Sequence, residues 1–532
     1  MATFFKPQHY NSSWSCHIGA DAGSWLLRRC RSISWRRRQY TALQFRQLQQ
    51  DSAVRTRHHP DQVDSRLWKS TGIFHPSIWR DFFLVYSNPE NSSQQQRAWM
   101  DRADKLKEEV AQMIVASSTT SSLDERLLLI DALERLCLDH LFQEEINAAL
   151  SQIASVDVSD CGLGTVSLWF YLLRKHRCFV SPDVFQRFKN LEGGFLVNNP
   201  IDLLNLYNAA HLRTHGEIIL DEAILFTGRR LEMILPFVEG SLAREIKSTL
   251  EIPLPRRVRI YELKYYISIH EKDATLHEKV LQLAKLNSNI LQLHHQQELS
   301  ILTRWDPKTA HDLPECMRFA LVKILDSYEI IGNMLHQEEK YRMMYLRHFT
   351  EDLVRSFNTE VKMLQEGYIP KSVEEHLKVS LRTGGCPILS CACFVGMHDI
   401  ATVDFFDWVS SVPKMVQALS IILRLEDDLQ SYEREQLIPH VASTIDTYMK
   451  EHNVSIEVAC EKIHILKEES WKDFNSEWLN PNNVYPKQLL ERIFNLTRTM
   501  EFMYNQEDNF TNCHNLKDTI HSLLVEPFAV LI

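Results

Sequence analysis

From Arg66 to the end of the chain, apolar residues return at i, i+3 and i+4 almost without interruption. In SLDERLLLIDALERLCLDHLFQEEINAAL (122–150), Leu, Ile and Phe form one stripe and the charged residues the other, the pattern of a helix that buries one face. A half-buried strand needs alternation at every second residue, and hairpins need Asn-Gly or similar turns. Glycine is too scarce for many such turns: 15 occur in 532 residues, where average usage of about 7% gives more than double that. The expectation is an all-α protein, long enough for two domains with large buried cores.

Prolines punctuate the helical pattern at SPDVF (181–185), IPLPRR (252–257), DLPEC (312–316) and GYIPKS (367–372), each a natural junction because proline lacks the amide donor and restricts the residue before it. IPLPRR lies near the middle of the ordered chain and marks the expected domain boundary, giving helical domains over 69–255 and 256–532. No repeat of 20–50 residues points to a solenoid. A formal net charge of −10 disfavours a nucleic-acid partner, because phosphate backbones attract basic surfaces. No run approaches the ~18 apolar residues of a membrane span. The 11 cysteines are scattered without zinc-like spacing or a disulfide framework, which points to a reducing compartment. Cys386, Cys391 and Cys393 lie close together, and burial in an apolar segment accounts for them better than a soft-metal site does.

Residues 1–68 differ from the rest. Within the first 50, Asp21 is the sole acidic residue against Lys6 and seven arginines, and Ser is frequent. No apolar stretch long enough for secretion is present. This is transit-peptide composition, pointing to a plastid; an unstructured extension of a cytoplasmic protein is the alternative.

RLEDDLQSYEREQ (424–436) carries the chemistry. Asp427, Ser431 and Glu435 are four residues apart, and each such step advances about 40° around a helix and roughly 6 Å along it. Three oxygen side chains therefore share one face. Read alone, that face is either one wall of a divalent-cation site or a solvated acidic surface.

Wider stretches favour the first reading. HPSIWRDFF (75–83), LLLIDALERLCLDHLFQEEI (127–146), NAAHLRTHGEIILDEAILFT (208–227), LPRRVRIYELKYYI (254–267), LQLAKLNSNILQLHHQQEL (281–299), FVGMHDIATVDFFDWVSSVPKMVQALSIILRLEDDLQSYEREQ (394–436), SWKDFNSEWL (470–479) and DTIHSLLVEPF (518–528) together resemble the plant terpene synthases, in order, over essentially all of 69–532. The family's N-terminal basic pair is half kept, as Lys69 and Ser70. The resemblance implies an α-barrel-like N-terminal domain and a C-terminal class I bundle, most similar to sesquiterpene synthases, acting as a monomer. It implies a lyase that ionises and cyclises a prenyl diphosphate with Mg²⁺ or Mn²⁺: the motif's likeness favours farnesyl diphosphate, while the transit-like N-terminus pulls toward geranyl diphosphate. Hard divalent cations take carboxylates, substrate phosphates and water in octahedral geometry, and so neutralise a diphosphate leaving group. Carried onto this sequence, the family's (N/D)DxxSxxxE motif makes Asp427, Ser431 and Glu435 the metal ligands, and Arg424 the diphosphate grip. Cys386 falls where the pocket floor usually has Tyr; Asp508 and Phe510 fall in the loop that covers the site.

The family's other metal motif, DDxxD, occurs nowhere in the sequence. The reason appears at ELSILTRWDPKTAHDLPECM (298–317). Relatives place several helices, with an RxR motif and DDxxD, between an edge like LTRW and an edge like RWDxxxxxxLPECM; here the two edges meet at Arg304-Trp305. A buried diphosphate with part of its charge unneutralised is costly, and a bundle short of helices leaves its cavity wet. Two expectations follow: a terpene synthase whose chain is inactive or weakly active, or a non-catalytic helical protein that binds a prenyl ligand or a partner. No DxDD motif occurs, so protonation-initiated cyclisation is not expected.

Overall fold

The computed structural model describes residues 93–190, 194–197, 199–271, 277–302, 315–437 and 440–530. The transit-like extension, the HPSIWRDFF segment and the Arg304-Trp305 junction lie outside these residues. The architecture is two-domain and all-α; the isolated β-bridge among the described residues pairs Lys189 with Phe195.

The first body contains α1 (Ser93–Thr120), α2 (Leu123–Arg135), α3 (Gln143–Ala154), α4 (Leu163–Lys175), α5 (Pro200–Ala210), α6 (Ile218–Ile234), α7 (Gly240–Glu251), α8 (Arg259–His270) and α9 (Glu278–Leu302). Local chemistry sets their starts. Ser122 and Glu125 form a reciprocal capping box ahead of α2, and Pro200 opens α5, where its missing amide costs nothing. The apolar stripes meet in one core that includes Leu106, Val110, Leu127, Leu133, Phe142, Ile153 and Phe170.

The second body contains α10 (Glu315–Met334), α11 (Arg342–Glu366), α12 (Val373–Thr383), α13 (Cys386–Ala392), α14 (Val403–Ser410), α15 (Lys414–Glu435), α16 (Thr444–His452), α17 (Ile456–Trp478), α18 (Lys487–Tyr504) and α19 (Lys517–Leu524). Its core is aromatic: Phe394, Phe405, Phe406, Trp471, Phe474, Trp478 and Phe494 are all buried. At the expected GYIPKS break, α11 ends on Gly367 in the left-handed region (φ 60°), and the Tyr368 amide closes back on the Met363 carbonyl at 2.8 Å.

Apolar packing does not divide the chain at 255/256. Leu263 and Ile267 of α8, with Leu283, Ala284 and Leu286 of α9, belong to the first core. The prolines of IPLPRR bend the chain within that body; they form a short 3₁₀ turn at Leu254–Arg256. The chain end returns to α9, where Asn289 both donates to and accepts from the Phe528 backbone, and Gln292 and Gln296 bond the carbonyls of Leu523, Glu526 and Leu524.

Polar groups join the two bodies. Arg256 makes a fork of two bonds to Glu468, at 2.8 and 2.9 Å, while stacking over Trp471. Arg177 donates to the carbonyls of Trp478, Asn483 and Tyr485, and Asn475 to those of His211 and Arg213.

Candidate metal and diphosphate site

α15 carries the acidic motif. Its other faces pack into the second core through Met415, Leu419 and Ile422, and Lys467 of α17 pairs with Glu426 at 2.6 Å in a nearly dry setting. These contacts fix the helix rotation and turn Asp427, Ser431 and Glu435 toward one side.

Arg424 lies one turn before the first candidate ligand. Its Nη1 donates to Asp427 Oδ2 at 2.9 Å and to Asp428 Oδ1 at 3.1 Å. Its Nε is buried and has no hydrogen-bond partner. Burial pushes the Asp427 carboxyl up to about 7; Arg424 pulls it down, and Asp428, Asp508 and Glu435 add to the rise. Burial and Asp428 raise Glu435 as well, against a downward pull from Ser431 and Arg434. The Ser431 side chain is fully buried, and its Oγ has no partner of normal hydrogen-bond geometry.

A crowded, under-neutralised carboxylate face beside an orphaned hydroxyl suits a hard cation, which would displace protons from the acids and take the serine oxygen. The donors fit one side of such a site. Among the described residues, no cluster of three or more His, Cys, Asp or Glu is arranged to hold a metal ion by itself.

The remaining predicted residues divide. Asp508 is buried and tied to the acidic helix: Arg434 donates to its Oδ2 at 2.6 Å, and the Thr511 amide to its Oδ1 at 2.9 Å. The loop after α18 is thereby anchored beside Glu435. Phe510 is 75% exposed and lines no wall in this conformation. Cys386 is sealed in the core at the first turn of α13, its thiol pushed up to about 12 by burial. Cys391 is likewise core.

Several neighbours of Arg424 escaped the sequence reading. Thr383 of α12 donates to Glu360 of α11 at 2.5 Å, and the Glu360 carboxyl, raised chiefly by burial, feels both Arg424 and Asp428. Gly384 permits the close approach of α15: a β-carbon there would stand 2.9 Å from Leu423 Cδ2 and 3.8 Å from Arg424 Nη2. Tyr504 at the end of α18 is raised by burial and by Asp427 and Asp508. The Gly384-Gly385 doublet in a glycine-poor chain was a usable signal; Glu360, one acid among many on α11, offered none.

A comparison with known families matches residues 78–250 to "Terpene synthase, N-terminal domain" and residues 296–473, which include the whole acidic motif, to "Terpene synthase family, metal binding domain". The chain is 49% identical to a chloroplastic alpha-terpineol synthase of Zea mays, covering 87% of each chain. It is 37% identical to a beta-sesquiphellandrene synthase of Sorghum bicolor, covering 86% of this chain and 96% of that one. Among solved structures, limonene synthase with 2-fluorolinalyl diphosphate shares the fold at a TM-score of 0.76 and 24% identity, over 86% of this chain and 99% of that one. Grey poplar (Populus x canescens) isoprene synthase, in complex with three Mg²⁺ ions and dimethylallyl-S-thiolodiphosphate, shares it at a TM-score of 0.72 and 23% identity, over 83% and 100%.

Proposed function

This chain belongs to the plant terpene synthase family, and from that premise we propose that it has kept one wall of the family's metal–diphosphate site and lost the other. Asp427, Ser431 and Glu435 would hold Mg²⁺, with Mn²⁺ as a substitute, and Arg424 would grip the diphosphate of a prenyl substrate, farnesyl diphosphate being the class its motif favours. The cation's contribution is to neutralise the leaving diphosphate. The reaction of the lineage is ionisation and cyclisation of that substrate; this chain binds the charged head and fails to cyclise.

The observation that carries this reading is the charge balance. Burial holds the Asp427 carboxyl up to about 7 even with Arg424 bonded to it at 2.9 Å, so the face has room for further positive charge, and the sequence offers no DDxxD to hold cations from the facing side. The length of the alignments supports a lost segment. The alignment with the Zea mays relative runs over 545 positions while using 87% of a 532-residue chain, so dozens of positions in that relative have no counterpart here. A bare apolar stripe also fits. Val354, Phe357, Val361 and Leu364, at helical spacing along α11, are 59%, 47%, 49% and 38% exposed, as a helix face would be after losing its cover. That stripe is the feature favouring the alternative, a non-catalytic chain that binds a partner.

Incubating the purified chain with Mg²⁺ and geranyl, farnesyl or geranylgeranyl diphosphate tests the reading by gas chromatography of extracted products. No cyclic terpene is expected. Efficient cyclisation of any of the three refutes the loss of function. Transcript sequencing across the codons for Arg304 and Trp305 is the companion measurement, since a longer transcript should encode an active enzyme.

A further inference from the structure

The acidic motif contains one carboxylate that the metal-ligand pattern leaves without a task. Asp428 is 2% exposed and is the most thoroughly engaged group of the site. Its Oδ1 accepts Arg424 Nη1 at 3.1 Å, and its Oδ2 accepts the backbone amide of Thr444 at 2.6 Å. Thr444 is the first residue of α16, where amides lack helical partners and the helix end favours negative charge. His376 of α12 stands behind the same oxygen, its Nε2 3.8 Å away and without a hydrogen-bond partner. Asp428 therefore ties α15 to α16 beside the arginine, with His376 of α12 behind it.

Arg424 spends its Nη1 on two carboxylates at once. One of them, Asp427, is a candidate metal ligand. A dication on Asp427 competes with the guanidinium for the same oxygens and has twice its charge. We propose that Asp428 is a positioning residue: it would retain Arg424 on the acidic face when Asp427 turns to the metal, so that the rest of the guanidinium is free to meet the diphosphate. Arg424 is a counter-ion for Asp427 here; with a cation on Asp427 it would be released to the ligand while Asp428 kept hold of it. This rests on the reading of the site given above, and concerns which group orients the arginine. A guanidinium held by one fixed carboxylate loses less freedom on gripping a phosphate than one swinging on a solvated stem.

Inorganic pyrophosphate with Mg²⁺, titrated calorimetrically, probes the diphosphate grip; Mn²⁺ alone, followed by electron paramagnetic resonance, probes the cation. Asp428→Asn should weaken pyrophosphate binding by about tenfold, the value of one charge-assisted hydrogen bond, and leave Mn²⁺ binding within about twofold. Arg424→Lys should weaken pyrophosphate too, and adding Asp428→Asn to it should cost less than a further factor of about two, because both remove one contact. Thr444→Pro supplies an independent arm. Proline is tolerated at the first position of a helix, and Ser443 before it is already extended (φ −76°, ψ 172°), so the fold survives while the amide that anchors Asp428 is gone. It should reproduce the loss of pyrophosphate with Mn²⁺ retained. Multiplying losses in the double variant, or equal losses of both probes in Asp428→Asn, overturn the positioning role. A parent chain that binds neither probe sinks the site reading beneath it; a parent that binds both, undisturbed by Asp428→Asn and Thr444→Pro, sinks the positioning role alone.

Discussion

The contact that holds the acidic helix against its neighbour gives a quantitative test. Lys467 Nζ of α17 and Glu426 Oε1 of α15 are 2.6 Å apart, with side chains 8% and 4% exposed. Lys467→Met keeps the length and apolar stem of the lysine but strands Glu426, next to the first candidate ligand. Removing one partner of a buried ion pair leaves the other charge uncompensated, which costs about 3 to 5 kcal/mol. Lys467→Met should thus lower the unfolding free energy by about 3 to 5 kcal/mol. Replacing both partners, Lys467→Met with Glu426→Met, should restore most of the loss, because an apolar pair has no charge to desolvate. Urea unfolding followed by tryptophan fluorescence reads this directly, since Trp471 and Trp478 lie on the same helix. A single-variant loss below about 1 kcal/mol, or a double variant as unstable as the single, refutes the reasoning.

Other outcomes test other links. Glu501 is 1% exposed, neither of its oxygens accepts a hydrogen bond, and burial raises its carboxyl to about 7 against the pull of Arg256 and Lys467. A raised acid binds its proton more tightly folded than unfolded, so it erodes stability as pH climbs from its ordinary range to about 7; Glu501→Gln should gain on the parent across that window in pH-resolved melts, and a constant difference counts against it. Changing Phe357 and Val361 to Lys on the bare face of α11 should leave thermal stability within about 0.5 kcal/mol and improve solubility, whereas a large loss means that the stripe is covered. Residues 1–68 fused to a fluorescent protein should carry it into plastids of a leaf protoplast, and diffuse cytosolic signal refutes the transit reading.

The fold class was legible because helical periodicity is a local property, repeated often enough to leave no alternative. The acidic motif was legible for the same reason: Asp427, Ser431 and Glu435 sit on one helix, where spacing alone defines a face. What stayed hidden was whatever several helices build together. Glu360, Thr383, Gly384, Thr444 and Tyr504 reach the Arg424 neighbourhood from α11, α12, the turn after it, α16 and α18, and no local pattern links them. The packing around the expected domain boundary was hidden for a related reason. Proline marks where a helix stops, while the sharing of Leu263, Leu283 and Leu286 with the first core depends on where the next helix goes.

If one wall is kept and the other lost, as proposed above, the kept wall persists because its supports do not run through the lost segment. α15 is held by Glu426 to α17, by Asp428 to α16 and by Arg434 to the loop after α18. α17 is in turn bolted to the first body through Glu468 to Arg256 and Asn475 to His211 and Arg213, and α18 through Arg498 to the Pro255 carbonyl. On the other side, α11 turns Val354, Phe357, Val361 and Leu364 outward, and this is where a facing wall would find apolar cover to make. A loss on that side would remove cations and seals from the cavity without cutting any of these latches. A stable chain that binds the diphosphate head weakly is therefore the expected consequence, and folding stability carries no information about turnover. On the proposed reading, activity would require the opposite wall itself, because no substitution among the residues that hold α15 can supply oxygen ligands from the facing side.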